Sequence, residues 1–175
     1  MGYGYNIYGG STYMRRKDRE VSNMEDIRGI IEKCKVCHLA MADKGRPYLV
    51  PLSFGYRIDG EKLTLYFHSA KTGRKIDILE NSKEVCFEMA CECKLGIVEN
   101  PCNSGYFYES VIGFGKAEFV DNDEEKCEAL TLLMKHQANQ DFVFTKQQAD
   151  TVCVFKVVSR DFTGKKKPDP SGRSL

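Results

Sequence analysis

The chain has 175 residues, long enough for one domain whose apolar core needs no disulfide staples. Its 26 Lys and Arg against 25 Asp and Glu leave a net charge of +1, which excludes general nucleic-acid binding, because counterion release at many phosphates requires a surplus of basic residues. Eight Cys fall below the roughly 8–10% of a disulfide scaffold, so reduced thiols and a cytoplasmic location are expected, and no apolar run approaches the ~20 residues of a membrane helix.

Residues 1–13 are rich in Gly and Tyr and lack the basic and apolar regions of a signal peptide, so a disordered tail is expected there. A single domain over 14–162 and a polar tail over 163–175 follow. Ser22-x-x-Glu25 reads as a capping box, and Met24, Ile27, Ile30 and Ile31 recur at helical spacing, which predicts a helix from Met24 to about Cys34. Val36–Ala42 and Pro47–Ile58 predict two strands joined by the turn Asp43-Lys44-Gly45. A turn at Asp59-Gly60 then leads into Lys62–Phe67, so the three strands read as an antiparallel meander. A short helix follows from about Thr72 to Glu80, then a strand at Glu84–Met89, a Cys-rich loop from Cys91 to Asn103, and a long strand at Tyr106–Val120. Gly113 and Gly115 inside that strand predict a bend or a close backbone approach. Asn122 or Asp123 caps a helix bearing Cys127, Leu130, Leu133 and Met134, and Thr151–Val158 is the last strand. About six strands, three short helices and no βαβ run predict a mainly β fold, an antiparallel barrel with helices at its ends.

The most chemical stretch is His68-Ser69-Ala70-Lys71-Thr72-Gly73-Arg74-Lys75, between a strand end and a helix start. A helix N-terminus offers free N–H groups and partial positive charge, and here hydroxyls, a guanidinium and two ammonium groups join it, which suits a phosphate dianion. The spacing is neither that of a P-loop nor G-x-G-x-x-G. The plainer reading is an ordinary helix start with solvated Lys and Arg.

Two cysteine groups compete for attention. Cys34-Lys35-Val36-Cys37-His38 matches C-x-x-C-H, but it runs from a helix end into a strand, and structural thiols are expected. Cys86, Cys91, Cys93 and Cys102 have poor spacing for zinc or an iron–sulfur cluster, so no metal is expected. His136 is expected near a helix C-terminus, where its charge suits the dipole.

MRRKDREV at Met14–Val21, CKVCHLAM at Cys34–Met41, GRPYLVPLSFGY at Gly45–Tyr56, LYFHSAKTGRKIDIL ending at Leu79, and SVIGFGKAEFV at Ser110–Val120 together resemble the nitroimidazole-resistance (Nim) family. These are flavin-nucleotide-binding split barrels related to pyridoxamine 5′-phosphate oxidase. The resemblance implies an FMN-binding, antiparallel, Greek-key-like split β-barrel and a homodimer with flavin at the subunit interface, FMN being the expected form and FAD the alternative. It implies that Val50, Pro51, Leu52 and Ser53 line the flavin ring, largely through backbone groups, and that His68 and Ser69 follow at ring and phosphate. Arg74 and Lys75 match the pair that grips the phosphate, with Lys71 in the same basic cluster, and Ser110 reaches the flavin from a later strand. The implied reaction reduces the nitro group of a small aromatic substrate, with His68 as proton donor or polariser. The alternatives are a flavin-binding protein without turnover and a haem-binding split barrel with His68 or His38 as axial ligand. Pyridoxamine phosphate oxidation is not expected, since no segment beyond Phe162 offers that enzyme's substrate-binding Arg and His.

Overall fold

In the computed structural model, which describes residues 14–98 and 100–167, the elements run β1 (Glu20–Val21), α1 (Met24–Lys33), β2 (Cys37–Asp43), β3 (Arg46–Leu52), β4 (Gly55–Asp59), β5 (Lys62–Ser69), α2 (Arg74–Asn81), β6 (Glu84–Gly96), β7 (Gly105–Phe119), α3 (Asp123–Ala138), α4 (Lys146–Ala149) and β8 (Cys153–Lys167). The tail expected at 1–13 and the end of the chain from 168 lie outside the described residues. No helix among the described residues is long and apolar enough to cross a membrane.

The strands form one antiparallel sheet in the order β3-β2-β6-β7-β8-β5-β4, with β1 added to β8. β3 and β4 end the path without pairing, so the barrel is split, as the mainly β reading expected. The meander is corrected. Residues 47–58 are two strands at opposite edges of the sheet, β3 on β2 and β4 on β5, separated at Ser53-Phe54. The end of α3 makes the break: Phe54 O lies 2.8 Å from both His136 Nδ1 and Gln137 Nε2. The other ring nitrogen of His136 lies 3.2 Å from Ile31 O, so this half-buried histidine clamps α3 to α1 and to the strand break.

Other boundaries shift for local reasons. Asn23, not Ser22, caps α1, its Oδ1 accepting the Glu25 N–H at 2.7 Å, so Ser22 and Glu25 do not form the capping box. Asn122 caps α3 through the Glu125 N–H at 2.8 Å. Cys91 and Cys93 lie within β6, beside a register shift between Cys91 and Lys94, rather than in a loop. The bend expected in β7 is present as a register shift between Phe114 and Lys116 against β8. β8 runs to Lys167 rather than ending at Val158, because its second half pairs with β7 and β1.

Two apolar clusters hold the fold. Ile27 and Ile31 of α1 close the barrel interior over Leu39, Leu65, Phe67, Phe87, Val111 and Phe155. Ala129 and Leu130 of α3, with Ala149 of α4, cover Tyr66, Val120 and Val154 on the other side of the sheet.

Glu109 ties α1 to β7 and β8: its side chain is 8% exposed and receives Lys33 Nζ at 2.8 Å and Lys166 Nζ at 2.5 Å. Burial pushes its carboxyl up, but the Lys166 and Lys33 ammonium groups outweigh burial and hold it below the ordinary glutamate value. Its stabilisation is therefore complete above about pH 4.3 and is lost as the pH falls through the depressed value. Because both lysines are about half exposed, Glu109→Gln is expected to cost only about 1–2 kcal/mol at pH 7. Urea unfolding checks this: the gap between wild type and variant should shrink at pH 3, and an equal gap at both pH values would contradict it.

Candidate flavin site

β5 delivers His68 and Ser69 to the loop that starts α2, and α2 lies beside the β2–β3 hairpin. Gly73 occupies the N-cap with φ +131°, a conformation open to glycine and strained for L residues. No side chain caps the helix, and its first turn closes only through the Ile76 and Asp77 N–H groups to Gly73 O. The Arg74 and Lys75 N–H groups therefore have no partner within the helix.

Arg74 reaches across to the hairpin. Its Nη2 and Nε lie 3.0 and 3.2 Å from Asp43 Oδ2, and its guanidinium stands 4.6 Å from the centre of the Tyr48 ring. These contacts hold the cation beside β3, the open edge of the sheet. Val50 and Leu52 turn toward the barrel core, whereas Pro51 and Ser53 are exposed. Pro47 and Pro51 have no N–H and share one parity along β3; the pairing that loses no ladder bond turns that parity to the open edge. The edge then presents the carbonyls of Pro47 and Pro51 and both backbone groups of Leu49.

His68 is half-buried, and its Nδ1 is buried without a hydrogen-bond partner. Burial, reinforced by the Lys75 ammonium, lowers its pKa, so the ring is neutral at neutral pH. Ser69 is buried and donates to Ala70 O at 2.7 Å. Lys71 is exposed and borders a cavity of about 380 Å³ lined also by Ile76, Lys126, Val152 and Val154.

The fold brings Arg74 to the β2–β3 hairpin, while His68, Ser69, Lys71 and Lys75 lie on the segment that leads into and opens α2. Ser110 does not join them within one chain. It pairs with Lys165 of β8, whereas His68 pairs with Val154, eleven residues away along the same strand, roughly 35 Å of strand. Sequence reasoning missed Asp43, read as a turn residue, and Tyr48, read only as part of a strand. No local signal marks either, because both act through a contact with Arg74 made by the tertiary fold.

An uncapped helix start with three cations fits a phosphate, and an open strand edge with an unpartnered imidazole nitrogen fits a planar polar ring. Among the described residues no three His, Cys, Asp or Glu are grouped to hold a metal ion.

Known proteins resemble this chain in sequence and fold. A candidate 5-nitroimidazole antibiotic resistance protein from Bacteroides thetaiotaomicron is 34% identical, with 83% of this chain and 85% of that chain covered and a TM-score of 0.72. A flavocytochrome from Azotobacter vinelandii (20% identity, 90% and 73% covered, TM-score 0.71) and a FAD- and haem-binding protein from Mycobacterium smegmatis (15%, 86% and 74%, 0.71) share the fold. Comparison with curated protein sequences gave no match. The family profile of pyridoxamine 5′-phosphate oxidase matches residues 23–166, and the chain belongs to this flavin-binding family.

Proposed function

We propose that the protein is an FMN-dependent oxidoreductase that reduces a nitroimidazole or a similar small aromatic acceptor. The observation that carries this reading is the uncapped, cationic start of α2 facing the open edge of β3. Lys71, Arg74 and Lys75 would hold the phosphate, and the backbone of β3 would contact the ring. A bound flavin supplies the hydride chemistry that such a reduction needs. His68, neutral and with a buried ring nitrogen that lacks a partner, is suited to polarising the acceptor by a hydrogen bond rather than to acting as a charged acid.

The reading includes a homodimer. Leu49, Ala40, Cys86 and Phe114 stand side by side across β3, β2, β6 and β7, next to a row with Ile112, and Leu49 and Phe114 are 57% and 49% exposed. This exposed apolar row, flanked by the His38–Glu88 and Glu84–Lys116 pairs, suits a second copy of the chain. A second copy would also give Ser110 a route to a flavin that its own chain does not offer.

The test is the absorbance spectrum of purified protein, followed by reoxidation of its reduced flavin with a nitroimidazole and by sedimentation. Flavin bands, faster reoxidation and a dimer are expected. Protein that neither carries nor takes up FMN would sink the reading, and flavin indifferent to nitro compounds would leave a passive binder. The unpartnered Nδ1 of His68 favours one second reading, haem ligation, which a Soret band in place of flavin bands would reveal; His38, whose Nδ1 lies 3.1 Å from Glu88 Oε2, is the other ligand candidate.

A further inference from the structure

The cysteines bring together two residues that lie far apart in sequence. Cys34 ends α1, is 1% exposed and packs in the barrel core, with half-buried Cys91 against the same cluster. Both converge on one carbonyl: Ile30 O accepts the Cys34 N–H at 3.2 Å and the Cys91 S–H at 3.8 Å. The two thiols are near enough that Cys34 lowers the pKa of Cys91 while Cys91 raises that of Cys34. Cys91 sits at the β6 bulge, next to Glu92 at φ +53°, where the ladder is already interrupted.

We propose that Cys34 and Cys91 are a redox pair that closes to an intrachain disulfide in the presence of a low-molecular-weight disulfide such as oxidised glutathione. The two sulfurs have distinct parts. Cys91, half-buried and favoured as thiolate by its Cys34 neighbour and the Lys33 ammonium, is the attacking sulfur, while Cys34, 1% exposed and kept protonated by its neighbour and by burial, resolves. The Cys91 thiolate attacks one sulfur of glutathione disulfide, forming a mixed disulfide and releasing one glutathione thiolate. The Cys34 sulfur then attacks the Cys91 sulfur, and its proton passes to the second departing glutathione. Two protein thiols are oxidised and one glutathione disulfide is reduced to two glutathiones. The bond would fasten the C-terminal end of α1 to β6. None of this depends on the flavin reading.

The test equilibrates the full-length protein in glutathione buffers of increasing oxidation, quenches with acid and alkylator, and maps the peptides. The expected result is one intrachain link, Cys34 to Cys91, with exposed Cys93 and Cys102 carrying glutathione at most. In Cys34→Ser the link is lost and Cys91 retains one glutathione. The proposal is overturned if wild type shows no intrachain link in the most oxidised buffer, or if the link formed joins other cysteines.

Discussion

Replacing Arg74 and Lys75 together by Ala is expected to abolish flavin retention and leave the fold intact. A hydrogen bond to a charged group contributes roughly 1.5–3 kcal/mol, so losing two costs about 3–6 kcal/mol, on the order of 10² to 10⁴ in affinity. The fold gives up little. The Arg74 side chain is 53% exposed, and an exposed pair such as Arg74–Asp43 is worth about 0–1 kcal/mol. Gel filtration of FMN-reconstituted protein and thermal melting of the flavin-free form separate the two effects. Wild-type affinity in the double variant would place the phosphate elsewhere, and a collapsed melting temperature would mean that the pair serves the fold.

A second large effect is expected at Gly55. A Cβ there would lie 2.4 Å from Leu133 N, 2.6 Å from Leu133 Cα and 2.7 Å from Leu132 C. All three atoms are backbone, so no rotamer relieves the clash and α3 must lift from β4. That motion exposes part of Leu130 and Leu133 and strains the bonds of His136 and Gln137 to Phe54 O. Gly55→Val is expected to cost about 3–5 kcal/mol, a large share of the 5–15 kcal/mol typical of a domain. At 2–4 °C per kcal/mol for a chain of this size, the melting temperature falls by roughly 6–20 °C. Gly29→Ala is the control: nothing lies within 4 Å of an added Cβ inside α1, so a gain of about 0.5–1 kcal/mol is expected. A Gly55→Val variant that melts with wild type would refute the close packing of α3 on β4.

The contrast between these two sites explains what could be read from the chain. The basic loop is contiguous: eight residues, His68 to Lys75, carry the strand end, the glycine and the cations, so local chemistry reveals it. Gly55 carries no such mark. Leu52, Phe54 and Tyr56 keep alternating through the break, and only α3, arriving some 80 residues later, bends the chain there. The same holds for the end of β8. Lys165-Lys166-Lys167 reads as a polar tail, yet Lys166 is one of the two cations that neutralise buried Glu109.

By itself the sequence determined the helices at Met24, near Arg74 and at Asp123, the turns at Gly45 and Gly60, the mainly β class and the basic loop. Each rests on a period, a cap or a turn residue that acts over a few positions. The tertiary structure alone decided that β3 and β4 part to opposite edges, that Asp43 and Tyr48 hold Arg74 at the open edge, that Ser110 stands apart from His68 within one chain, and that Cys34 meets Cys91. Those outcomes are contacts between residues distant in sequence. No residue type or spacing encodes them, because a contact is fixed only when the apolar faces of the helices choose the strands they cover.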